Sequence, residues 1–243
     1  MSTSSRDSFG DLRKGTMQGP VFVVLRVILL NLCRLLLGMR LVGANHVPRT
    51  GPLLVVSNHL HNADPVLVSI ACPRPLHFMA KEELLRVPVI GRIIRWGGSF
   101  PIARGKADRK AIRMAVARLD QGIAVGMFPE GTRSRTWQMN KALTGAGLVA
   151  SMGKSQIQPC AITGTEWLPF NGSKGRKKRQ RKHVWDIRPH VTIVFGEPFT
   201  LPETGEDGKR LTPEQATEIM MQRIAALLPE EYRGHYANPA TES

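Results

Sequence analysis

From Gly43 onward, short apolar runs alternate with helical patterns, and this alternation restricts the architecture more than any other feature of the 243-residue chain. Leu53 to Val56, Leu76 to Met79, Ile123 to Phe128, Ile157 to Ile162 and Val191 to Phe195 read as strands, since short apolar runs bounded by turn residues suit strands buried on both faces. Between and after them, Pro65 to Ala71, Asp108 to Leu119, Ala142 to Ser151 and Glu214 to Leu228 carry helical patterns, with Asp108 as an N-cap and Pro213 at a helix start. This order predicts an α/β domain over 43–228, a mixed, largely parallel sheet flanked by helices. A basic insertion at 172–183 interrupts it, and 229–243 reads as a C-terminal tail.

The first 42 residues are different in kind. Met1 to Gln18 is polar and Ser-rich, and is expected to fray. Pro20 to Val42 then holds fifteen Leu, Ile, Val and Phe residues interrupted by Arg26, Asn31, Arg34 and Arg40. Fifteen such residues favour insertion by about 4.5 to 9 kcal/mol, whereas each central Arg costs about 2.5 to 3.5 kcal/mol, so a span is not secured. On a helix the three arginines fall within an arc of roughly 120°. The first expectation is therefore a helix in the membrane interface, cations toward phosphate headgroups; a buried core helix and a true span are the alternatives.

Charge narrows the partners. Thirty-four Lys and Arg against nineteen Asp and Glu give +15, and seven of the bases lie between Lys174 and Lys182. Anionic membranes, phosphorylated substrates and nucleic acid all fit such a surplus. Nucleic acid ranks last, because the basic run has no interleaved aromatics and the chain is only 6% aromatic. Cys33, Cys72 and Cys160 lie far apart, which argues against a disulfide framework and a cysteine zinc site, and no other spacing suggests a metal.

Three segments that follow or contain a strand carry the residues suited to chemistry. In Asn58-His59-Leu60-His61-Asn62-Ala63-Asp64, a His suited to proton transfer precedes a carboxylate that can fix its tautomer. Gly98 to Arg104 is a turn leading into a strand and then an Arg whose planar fork suits phosphate. Phe128-Pro129-Glu130-Gly131-Thr132-Arg133-Ser134 offers close backbone approach at Gly131, a hydroxyl and a second Arg.

In this order and at these separations the blocks resemble the glycerolipid acyltransferase family, most closely its bacterial 1-acyl-glycerol-3-phosphate acyltransferases. N-H-x4-D, G-x-x-[FP]-[IV]-x-R and F-P-E-G-T-R-S are all present, as are the Lys81-Glu82-Glu83-Leu84 stretch and the Pro-containing run Gln158 to Ile162. The resemblance covers roughly Leu41 to Phe199. It implies an acyltransferase that moves a fatty acyl group from acyl-CoA or acyl-carrier protein to the free hydroxyl of 1-acyl-glycerol-3-phosphate, giving phosphatidic acid. It further implies His59 as general base, Asp64 as its orienting partner, and Lys81, Arg104 and Arg133 as phosphate ligands, with Glu130, Gly131 and Thr132 shaping the acceptor pocket. No cofactor is implied, and the place of action would be the cytoplasmic face of the cell membrane, peripheral or monotopic. One departure stands out: the family usually has Ser two places after the catalytic His, where this chain has His61, which could compete for Asp64 or bind acceptor phosphate. The alternatives are the same chemistry on another lysophospholipid or glycolipid, and a non-catalytic basic protein that binds membrane or nucleic acid.

Overall fold

A computed structural model describes residues 9–81, 86, 88, 90–102, 109–169, 190–205 and 208–237. Among these, seven strands form one sheet: β1 (Arg40–Val42), β2 (Leu53–Ser57), β3 (Leu76–Lys81), β4 (Phe100–Ile102), β5 (Ala124–Met127), β6 (Gln156–Thr163) and β7 (Thr192–Phe195). Their order is β1-β7-β6-β2-β5-β3-β4. Every pairing is parallel except β6 with β7. The mixed, mostly parallel sheet expected from the sequence is therefore present.

The continuous apolar runs are explained by cover on both faces. Along β2, Leu54 and Val56 enter one core with Leu119, Val149, Met220 and Ile224. Leu53 and Val55 point the other way, into a core with Val68, Phe78, Cys160 and Ile193. Successive side chains of a strand alternate between faces, so one short run supplies both cores. Helices α4 (Arg109–Asp120), α5 (Gly145–Gly153) and α6 (Pro213–Ala225) serve the first core, and α1 (Gly19–Leu37) and α2 (Asp64–Ala71) the second. A capping box starts α6: Thr212 Oγ1 accepts from Gln215 N at 3.2 Å, and Gln215 Oε1 accepts from Thr212 N at 2.9 Å. A shorter helix, α3 (Ile90–Trp96), precedes β4.

The N-terminal region departs from expectation. α1 ends at Gly38, whose left-handed backbone (φ 60°, ψ 36°) closes the helix. Arg40 therefore belongs to β1, not to a helical arc with Arg26 and Arg34. Arg26 turns inward: its Nε donates to Cys72 O and its Nη2 to Ala71 O, both at 2.7 Å. It thus places a cation on the carbonyls that end α2, where the helix dipole is negative. What α1 exposes is instead mostly apolar, including Val21, Val24, Ile28, Leu35 and Leu36. The segment before α1, expected to fray, is tied down from Gly10 onward: Leu12 N donates to Gln121 Oε1 at 3.0 Å, and Met17 N to Trp96 O at 2.8 Å.

Between Leu228 and Ala237 the chain also stays packed, forming α7 (Glu230–Arg233) and a 3₁₀ turn, Gly234–Tyr236. The Asp108 cap and the 172–183 insertion lie outside the described residues.

Replacing Arg26 with Met keeps the apolar stem and removes both bonds to α2. Arg26→Met is expected to lower the unfolding free energy by about 2 kcal/mol in urea titrations. An unchanged midpoint would mean that α1 is not fastened through this side chain.

Candidate active site

Strands β2, β5, β3 and β4 are parallel neighbours, so their C-terminal ends share one edge of the sheet. Ligand sites of α/β sheets lie at that edge. The loop after β2 carries His59 and Asp64, the loop after β5 carries Glu130 to Arg133, and Lys81 closes β3. Arg104, two residues beyond β4, lies outside the described residues.

The β2 loop is built around one carboxylate. Asp64 is the first residue of α2 and is 0% exposed. Its Oδ2 accepts from Leu60 N and His61 N, each at 2.6 Å, and meets His59 Nδ1 at 2.9 Å. Because Oδ2 already accepts from two backbone N–H groups, Nδ1 is placed to donate to it, and in the neutral imidazole Nε2 then keeps its lone pair. A five-residue separation does not align two side chains on a helix, and here it does not have to. The chain turns through 60–63 before the helix begins and brings His59 back over Asp64. Upstream, Asn58 prolongs the β2 ladder by side chain, donating to Ile162 O at 2.8 Å and accepting from Ile162 N at 2.9 Å.

His59 is 6% exposed and stacks on Phe128, with centroids 4.1 Å apart and planes at 16°. Both rings line a cavity of about 390 Å³ that runs toward Phe22, Leu25 and Leu29 of α1 and is walled mainly by apolar side chains. Asn62 and Gly131 also line it. Thr132 is exposed and Arg133 half-buried on the same loop.

Glu130 is held inside the protein. It is 3% exposed, and both carboxylate oxygens meet protein donors. Oε1 accepts from His59 N at 3.0 Å; Oε2 accepts from Asn140 N at 2.8 Å and Asn140 Nδ2 at 2.9 Å. Burial raises its pKa to about 7, against the opposing pull of those hydrogen bonds and with a small addition from the Asp64 charge. His61 is likewise engaged by the protein: Nδ1 accepts from Ala63 N at 3.0 Å and Nε2 meets Pro169 O at 3.1 Å. What reaches Asp64 Oδ2 is the backbone N–H of His61. Asn140 was invisible in the sequence, where nothing distinguishes it from any loop Asn.

Glu130 makes a pH prediction. Its pKa is above the ordinary 4.5 in the folded state, so the native protein holds more protons than the unfolded chain between pH 4.5 and about 7. Unfolding free energy then falls through that window as pH rises. Glu130→Gln removes a titrating group and should flatten this part of the stability–pH curve measured by urea titration; an unaltered slope would contradict the assignment.

Residues 38–163, more than half of the 243, match the model of the family described as Acyltransferase. A 1-acyl-sn-glycerol-3-phosphate acyltransferase of Bacillus subtilis is 26% identical over 191 residues, covering 78% of this chain and 88% of that protein. One of Streptococcus pneumoniae is 32% identical over 173 residues, covering 70% of this chain and 57% of the relative's length. A lyso-ornithine lipid O-acyltransferase of Rhizobium meliloti is 26% identical over 226 residues, 85% of this chain and 75% of that one. The crystal structure of the 1-acyl-sn-glycerophosphate acyltransferase PlsC from Thermotoga maritima superposes with a TM-score of 0.58 at 21% identity, over 78% of this chain and 71% of that one. At that identity the likeness speaks to the fold.

Proposed function

The chain belongs to the acyltransferase family, and from that premise we propose that it moves a fatty acyl group from a thioester donor, acyl-CoA or acyl-carrier protein, to the free hydroxyl of 1-acyl-glycerol-3-phosphate, giving phosphatidic acid. The observation that carries this reading is the pairing of His59 Nδ1 with buried Asp64 at 2.9 Å beside an apolar cavity of about 390 Å³. That volume falls within the range of small-ligand sites, about 300–1,000 Å³.

His59 Nε2 takes the proton of the acceptor hydroxyl as its oxygen attacks the thioester carbonyl. Asp64 holds the tautomer and steadies the imidazolium that forms. When the tetrahedral intermediate collapses, the C–S bond breaks, and the leaving thiolate recovers the proton from His59. The acceptor hydroxyl takes the place of an enzyme nucleophile, so neither a covalent acyl-enzyme nor a cofactor enters the scheme. The acyl chain lies in the apolar cavity. Lys81, Arg104 and Arg133 are the proposed ligands of the acceptor phosphate, with Gly131 and Thr132 at its approach. Arg's fork suits phosphate oxygens in particular. Glu130 enters this scheme as a support for His59 rather than as a substrate ligand.

The partner surface is an anionic membrane at its cytoplasmic face. α1 is long and apolar enough to cross a bilayer, yet Phe22, Leu30 and Arg26 fasten it to the domain. A helix so fastened, with Val24, Ile28 and Leu35 exposed, lies along the interface with its outer side in lipid. A second reading keeps the chemistry and changes the acceptor to an amino-acid lysolipid, because the lyso-ornithine relative aligns over 85% of the chain.

The reading is tested by product mass after offering a thioester donor with 1-acyl-glycerol-3-phosphate, lyso-ornithine lipid and other lysolipids. Phosphatidic acid is the expected product; acylation of only another lysolipid supports the second reading, and no product with any acceptor overturns both. His59→Ala should lower the rate about 10³-fold or more, whereas His61→Ala keeps most of it, and the reverse ranking would contradict the choice of base. Charging the outer face of α1 (Val24→Asp with Ile28→Asp) should release the protein from phosphatidylglycerol vesicles in sedimentation; continued binding would remove α1 from the membrane contact.

A further inference from the structure

Resting on the acyl-transfer reading, we propose that Tyr236, close to the end of the chain, is a positioning residue for the catalytic base, acting through Ala142, Asn140 and Glu130 on the backbone of His59. The C-terminal segment is not held by its own regular structure. α7 has four residues, and the turn that follows has three. Its fastening comes from Glu166, whose Oε1 accepts from Tyr232 Oη, and from the loop at 139–142. Met139 N donates to Tyr232 O at 2.8 Å, His235 N to Met139 O at 3.1 Å, and Ala142 N to Tyr236 Oη at 3.0 Å. Tyr236 is 2% exposed, so this phenol oxygen offers Ala142 a bond that water cannot readily replace.

The approach is close enough to require a glycine. A Cβ on Gly234, whose φ is +51°, would sit 2.5 Å from Met139 O. Between the two fastened points lies Asn140, which gives Glu130 Oε2 two donors while Glu130 Oε1 receives His59 N. Glu130 is thus a bracket with one arm on the catalytic loop and the other on a loop that the C-terminus holds. His59 is held again from this side, since Ser134 N donates to His59 O at 2.8 Å. A base displaced by about 1 Å can lose roughly 10²-fold in rate, so small slack in the bracket is felt at Nε2.

The test compares Tyr236→Phe, which is isosteric and deletes only the acceptor of Ala142 N, with Thr212→Val, which removes the cap of α6 and touches none of these contacts. Full-length proteins are assayed for acyl transfer and, in parallel, for hydrogen exchange of the segment 57–64. Tyr236→Phe should lower kcat about fivefold with both KM values within twofold, and should speed exchange of 57–64. Thr212→Val should lower Tm without either effect. Gly234→Ala, which forces the segment off Met139, should repeat the Tyr236→Phe pattern. A Tyr236→Phe protein that loses Tm while its kcat and its 57–64 exchange match Thr212→Val overturns the proposal, as does a rise in acceptor KM at unchanged kcat. Absence of transfer by the unaltered protein overturns the acyl-transfer reading instead, and the exchange comparison then decides the positioning role by itself.

Discussion

Everything at the site depends on how the Asp64 carboxylate is held. A buried carboxylate costs several kcal/mol to desolvate, and here it is offset by dipoles and one imidazole. Two backbone N–H groups and His59 Nδ1 converge on Oδ2, and the residue opens α2, where the helix dipole is positive. The loop cannot adopt another path without orphaning Oδ2, so the conformation that satisfies this oxygen is also the one that orients His59. In the proposed reaction, charge developing on the imidazole would meet a partner already in place, with little reorganisation left for the step itself.

The parallel register brings the remaining residues to that loop. Val56 lies beside Met127, and Ser57 beside Cys160, so β2 and β5 end close to level while β6 runs on to Thr163. Glu130, some seventy residues after His59, arrives beside its backbone because both follow neighbouring strand ends. The cavity takes its apolar walls from the same edge on one side and from α1 on the other. α1 therefore has two apolar faces with different partners. Its inner side closes the cavity, and its outer side, with Val24 and Leu35, is exposed.

Much of this was legible in the sequence, for physical reasons. Runs such as Leu53 to Val56 can only be buried on both faces, which makes a covered parallel sheet the natural solution. The order of the His59, Gly98 and Phe128 blocks identified the family, and each block follows or contains a strand. What the sequence hid are consequences of tertiary contact. A helical wheel grouped Arg26 with Arg40, but Gly38 ends the helix between them, and Arg26 has a target only because α2 ends beside it. His61 looked like a rival for Asp64, yet Pro169 and Ala63, unreadable as neighbours beforehand, engage its ring. Glu130 was expected to shape the acceptor pocket because it sits in a motif; its tie between His59 N and the 139–142 loop needs Asn140, which no pattern marks.

The central claim is that the acceptor hydroxyl, activated by His59, attacks the thioester directly. The most direct test mixes the protein with a thioester donor alone and follows free thiol together with the intact mass of the chain, then adds the lysolipid acceptor. The account predicts an unmodified chain and negligible thiol until the acceptor arrives, followed by thiol released in step with acylated lipid. A chain heavier by one acyl group, or stoichiometric thiol release before the acceptor is added, would contradict it.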